Sequence, residues 1–269
     1  MTEETTPPGP LIWTLPEPPG RPTTTLNRAD ILRAALAIAD AEGAAALTMR
    51  RVATAVGAST PMSLYRYVGS KDGLVDLMID AVYGEIPLPP TASDAQPESA
   101  GAAVPRSTSD AASWRPTLEH LSLDTWAVIQ RHLWFGHLVH TRPPFGPNAL
   151  RYFNFRFALL EPLGISADDM TRITAAIDGH LIGTALQVAE EMRMRSRTGL
   201  HTEAQLGEAA APFLQPILDS GTHPAFARWL TNRTLPNRAD PADPADPVAW
   251  TLAALLDGIT DRLNLPGPS

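Results

Sequence analysis

Residues 43–71 carry Arg50, Arg51, Arg66 and Lys71 and neither Asp nor Glu, although the 269-residue chain has a formal net charge of -8. A cationic stretch on an acidic protein attracts an anion at one place and repels it elsewhere, so indiscriminate nucleic-acid binding is not expected. Duplex DNA suits such a patch. Cations that neutralise phosphates release condensed counterions, helix N-termini offer amide hydrogens to phosphate, and a helix lying in the major groove reaches base edges. Interleaved with the cations are Thr48, Thr60, Pro61, Met62, Ser63, Tyr65 and Tyr67, small or aromatic side chains suited to a groove. Arg66 stands out for base reading, because a guanidinium grips a guanine edge with two hydrogen bonds, worth about 1–3 kcal/mol of discrimination.

Catalytic constellations do not emerge in the same way. The chain has no Gly-rich phosphate loop, no His-Glu-x-x-His, no Gly-x-Ser-x-Gly and no cysteine, so the expectation is no enzyme and no cofactor. Asp168 and Asp169 read as charge favoured by a helix N-terminus. His137 and His140 are two ligands without a third, so no metal is assigned. No apolar run reaches bilayer length and the N-terminus is acidic and proline-rich, which predicts a cytoplasmic protein without a membrane partner.

The elements that would position the cations follow from local signals. Thr48 caps a short helix with Val52, Ala55 and Val56 on one face, and Gly57 supplies the positive φ of a helix stop. A second helix opens with Thr60 as cap and Pro61 at the first helical position. Leu64 and Val68 face inward, leaving Met62, Ser63, Tyr65, Arg66 and Tyr67 outward, and Gly69 ends it. Ser70 caps a third, whose Leu74, Leu77, Met78, Ala81 and Val82 form one apolar stripe. Upstream, Asn27 and Asp30 open a helix that closes at Gly43. The pattern is a helix-turn-helix with a supporting and a connecting helix.

Gly43, Leu47-Thr48 with Arg50, Leu64-Tyr65, and Lys71 with Leu74 are the marks by which residues 27–86 resemble the DNA-binding domain of the TetR (tetracycline repressor) family. The turn between Gly57 and Tyr65 is one residue longer here than in the founding tetracycline repressors. Helix geometry and the resemblance together place Thr48 and Arg50 on a phosphate. They put Pro61, Met62, Ser63, Tyr65 and Arg66 at the major groove and Tyr67 and Lys71 on the flanking backbone, with the cap Thr60 also among the DNA-binding residues.

The remaining chain is expected to divide simply. Residues 1–26 hold seven prolines and read as a flexible arm. Within it, the apolar Leu11-Ile12-Trp13 could dock on the body, and Arg21 could reach a minor groove. Residues 87–113, rich in Ala, Ser and Pro, read as a disordered linker. Residues 114–269 return to helical periods throughout, giving an all-α chain of an N-terminal three-helix helix-turn-helix domain and a C-terminal helical domain. Helices over 167–194 and 248–263 are apolar on more than one face, as in a core or a subunit interface.

The resemblance implies that the C-terminal domain binds a small molecule and dimerises through two helices per protomer. It implies a homodimer on a palindromic operator, most often as a repressor that the ligand releases. The clustered candidates for a mixed aromatic and polar effector site are Trp134, Phe135, His137, His140, Arg142, Phe145, Asn148, Tyr152, Phe155, His180, Gln187 and Glu190. Thr141-Arg142-Pro143 resembles the Thr-Arg-Pro turn of the tetracycline site, but Leu138 stands where a histidine precedes that turn in those repressors. The alternative reading is a helical adaptor that binds a protein partner and no DNA; it requires Arg50, Tyr65, Arg66 and Lys71 to be replaceable.

Overall fold

Side-chain caps start the helices where local sequence asks for them. Asn27, Thr48, Ser70 and Ser166 accept hydrogen bonds from the amides of Asp30, Arg51, Gly73 and Asp169, so four helices begin with one orphan donor satisfied. The computed structural model describes residues 11–16, 26–88, 114–232 and 247–266. Among them the α-helices are α1 (Arg28–Glu42), α2 (Met49–Ala55), α3 (Met62–Val68), α4 (Lys71–Glu85), α5 (Trp114–Arg131), α6 (Phe135–Leu138), α7 (Pro147–Leu160), α8 (Ala167–Thr198), α9 (Glu203–Asp219), α10 (Pro224–Asn232) and α11 (Pro247–Leu263). The described residues contain no strand, and the fold is all-α as expected.

α4 is the hub. It packs on α1 and α3 at one end and on α5, α6 and α7 along its length. Residues 73–80 are all buried, with Val82 and Tyr83 beyond them, so the single stripe expected from sequence is too narrow: the helix is enclosed on nearly every side. Enclosure includes two carboxylates. Asp76 receives the fork of Arg142, from Nε at 2.6 Å and Nη2 at 3.1 Å, and Arg142 Nη1 also reaches Asp72 at 3.0 Å. Asp80 accepts the amide of Ala149 and the side-chain amide of Asn148, both at 2.9 Å. It thus caps α7 from another helix, where the local cap position, Gly146, offers no side chain. Burial pushes the Asp80 carboxyl above its ordinary range against those two bonds.

A second polar junction ties α1 and α4 to the segment after α5. His132, 6% exposed, bridges Asp40 at 2.7 Å and Glu85 at 3.1 Å, and the Trp134 indole donates to Asp40 at 2.5 Å. Burial acts against the Glu85 charge, but hydrogen bonds from Arg131 and His132 hold that carboxyl below its usual range.

Within the arm expected over residues 1–26, the described residues 11–16 fold onto the body. Ile12–Thr14 forms a 3-10 turn docked on α4, with Ile12 1% exposed, and Arg28 donates to the carbonyls of Leu15 at 3.1 Å and Tyr67 at 3.0 Å. Of the apolar island, Ile12 becomes core and Trp13 packs partly buried against it, while Leu11 stays exposed. Arg21 and residues 89–113 of the expected linker lie outside the described residues.

Candidate nucleic-acid interface and ligand cavity

Gly57 lets α2 turn into α3, and Gly69 lets α3 turn into α4. Gly57 (φ 68°) closes α2 and Gly69 (φ 71°) closes α3, conformations costly to a residue with a Cβ. α3 then buries Leu64 and Val68 completely and turns Met62, 74% exposed, outward with Arg66. Ser63, Tyr65 and Pro61 are half-buried at the rim, and Thr48, Arg50, Thr60 and Lys71 are exposed. Arg50, Arg66 and Lys71 make no ion pair among the described residues, whereas Arg51 is committed to Glu42. Three cations without an acidic partner among the described residues thus border one exposed helical face, Arg66 with its guanidinium 6.0 Å from the Tyr67 ring centroid.

Two details correct the sequence reading. Thr60 does not cap α3: Pro61 occupies the cap position in helical conformation, and Ser63 and Leu64 bond back to the carbonyls of Thr60 and Pro61 in a tight opening turn. The Ser63 hydroxyl also donates to Thr60 O at 2.6 Å. Tyr67 is 6% exposed, so its ring packs in the core, where the helix spacing had it outward. A seven-residue helix wedged between α1, α2 and α4 buries a wider arc than the Leu64 and Val68 spacing implies.

Behind this head, α4, α5, α6, α7 and α8 enclose a cavity of about 350 Å³ that opens beside the loop holding Thr141, Arg142, Pro143 and Pro144. His140, Arg142 and Tyr152 line it as expected, with Phe135. The other candidates do not line it. Trp134 is spent on Asp40, Asn148 on Asp80, and the His180 Nε2 contacts Thr251 Oγ1 at 2.8 Å between α8 and α11. His137 lies 3.4 Å from Glu190 and 3.3 Å from Arg193. Phe155 packs in the core, Gln187 is on the outer face of α8, and Phe145 is 56% exposed beyond the loop.

Sequence reasoning missed Tyr83, Thr125, Phe153 and Asp178, which the cavity brings together with apolar walls from Val82, Ile86, Ile129, Leu181 and Ile182. Asp178 is held by buried Arg156, from one guanidinium nitrogen at 2.8 and 3.0 Å, and that guanidinium sits 5.1 Å from the Tyr152 ring centroid. The Arg156 charge next to Asp178, one helix apart, was a signal available only once α7 and α8 were known to be neighbours.

An exposed cation-bordered helix on a helix-turn-helix head, joined through a buried helix to a partly open cavity, is the architecture of a DNA-binding regulator with room for a small molecule. Comparison with known proteins agrees. Residues 31–78 match the family model for bacterial regulatory proteins of the tetR family, and residues 107–263 the tetracyclin repressor-like C-terminal domain. The HTH-type transcriptional repressor DrrR1 of Streptomyces coeruleorubidus is 35% identical over 220 residues, 81% of this chain and 74% of that protein. An HTH-type transcriptional regulator of Saccharopolyspora erythraea is 30% identical over 197 residues, 73% of this chain and 74% of that protein. ActR of Streptomyces coelicolor has the same fold. Its apo crystal structure superposes with a TM-score of 0.63 at 19% identity, covering 90% of this chain and 98% of ActR. Its complex with actinorhodin superposes at 0.62 and 21%, covering 89% and 99%. The chain belongs to the TetR family and is a DNA-binding transcriptional regulator.

Proposed function

We propose that this chain works in the cytoplasm as a homodimeric repressor, released from a palindromic operator when a small molecule occupies the cavity. The observation that carries the reading is the double role of α4. Its first turns support α3, while Val82, Tyr83 and Ile86 at its far end form cavity wall, so a ligand and the recognition helix act on one rigid element. Thr48 and Arg50 hold a phosphate at the start of α2; Thr60, Pro61, Met62, Ser63, Tyr65 and Arg66 face the major groove; Lys71 anchors the flank.

Dimerisation through α8 and α11 is supported by the small residues Gly179 and Gly183, exposed on α8 with open space where a Cβ would stand, and by Trp250, 72% exposed on α11. A two-fold dimer sets two copies of α3 about one DNA turn apart, roughly 34–36 Å, and so selects a palindrome. Ligand control by occupancy requires only that the ligand favour the head spacing that fits DNA poorly. The complex of ActR with actinorhodin is a precedent on the same fold.

Selection of bound sequences from random duplex DNA tests this. The expected product is a palindrome with half-sites about one turn apart. Recovery of no enriched sequence, or of a single unpaired half-site, would overturn it.

A further inference from the structure

Tyr83 stands in the middle of the cavity's aromatic wall. Its ring centroid lies 5.5 Å from that of Phe135, 5.3 Å from Tyr152 and 5.6 Å from Phe153. The residue is 8% exposed, and no hydrogen bond joins its hydroxyl to another described residue. That hydroxyl is not sealed off. The one enclosed side-chain nitrogen or oxygen without a partner among the described residues is His137 Nδ1, so the Tyr83 oxygen is reachable from open space, and Tyr83 is a wall residue of the cavity.

The neighbouring hydroxyls are already committed. Thr125 donates to the Leu121 carbonyl at 2.7 Å, so its 3.2 Å contact with Tyr152 uses the Tyr152 proton. Of the cavity hydroxyls of Tyr83, Tyr152 and Thr125, only that of Tyr83 keeps an unassigned proton. Burial, then the nearby Asp178 carboxylate, pushes this phenol well above its ordinary range, so it remains a donor. A hydroxyl at a cavity wall with no protein partner is free to donate to an acceptor arriving on a ligand, in a site partly screened from bulk water. The surrounding ring edges and faces suit another aromatic system in offset or edge contact.

We infer that the effector is a flat aromatic molecule bearing a carbonyl-type oxygen, and that Tyr83 donates its hydroxyl hydrogen to that oxygen. The inference rests on the cavity being the effector site and adds the ligand class and the residue that reads it. Tyr83 belongs to α4, so the bond is made to the helix that supports α3. A cavity of about 350 Å³ admits a molecule of about three fused rings.

The test uses 9-fluorenone and fluorene, tricyclic probes that differ in a carbonyl against a methylene, in equilibrium dialysis with full-length wild type and Tyr83→Phe. The variant keeps the ring and loses no internal bond, so its unfolding temperature should equal or exceed that of wild type. Tyr83→Phe should bind fluorenone about three- to tenfold more weakly than wild type does, while fluorene binds both proteins alike. Ile182→Trp, or Val139→Trp from another wall, fills the space and should abolish binding of both probes. Equal fluorenone affinity in wild type and Tyr83→Phe would overturn the role of Tyr83. Failure of wild type to bind fluorenone, or fluorenone binding that survives both filling variants, would overturn the ligand class. The premise fails separately: a small molecule that releases the operator equally from wild type and both filled variants would place the effector site elsewhere.

Discussion

Arg50, Arg66 and Lys71 matter because each is exposed without an acidic partner among the described residues, on a protein whose total charge is negative. Their roles separate experimentally. Arg66→Ala should flatten sequence preference at one base position by about 1–3 kcal/mol, whereas Lys71→Ala should weaken all duplexes alike and lower the salt slope by about one. Gel shifts of both variants on selected and scrambled duplexes across a salt series measure the two effects; identical behaviour would remove the division of labour. What local sequence could say, it said well. Asn27, Thr48 and Ser70 cap where their types and spacing placed them, because a cap bond spans three residues. Thr60 and Tyr67 departed from expectation for a related reason: which side of a seven-residue helix is outward depends on the helices around it. The links from His132 and Trp134 to Asp40 cross more than ninety positions, and no periodicity records such a pair.

α4 and the start of α7 carry the connection between head and cavity. Periodicity found α4 as a helix with one apolar stripe; it could not find that five further helices would surround it, nor that Asp76 and Asp80 would be buried under Arg142 and Asn148. The cavity was half visible for the same reason. Arg142 and Tyr152 lie in the aromatic cluster that sequence singles out, but Tyr83 and Asp178 come from distant helices that converge only in the fold. The close seat of α7 on α4 makes a specific demand. A Cβ at Gly146 would collide with the Asp80 carboxylate that caps α7, although the Gly146 backbone itself is ordinary (φ -72°). Gly146→Ala should therefore destabilise the protein by about 1–3 kcal/mol, through strain and a displaced cap. Urea denaturation measures it, and a change within a few tenths would show that the junction yields freely.

The protomer leaves apolar surface uncovered. α9 and α10 bury no residue, and Phe213, Trp229 and Trp250 are 72%, 52% and 72% exposed. Faces of that kind on a regulator of this family fit a homodimer. Gly183→Leu should be harmless to the isolated helix, where it meets open space and gains helix propensity, yet should obstruct a partner helix. Sedimentation velocity is expected to show monomers for this variant at concentrations where wild type is dimeric, together with weakened operator binding; an unchanged dimer would move the interface off this face. The acid-free corner of the head is the surface expected to meet DNA. The operator affinity of the combined variant Arg50→Ala, Arg66→Ala, Lys71→Ala, checked for helical content and dimer size, tests that most directly. The account predicts a loss of about a hundredfold or more from three missing cations. A folded, dimeric triple variant that binds its operator as tightly as wild type would contradict it.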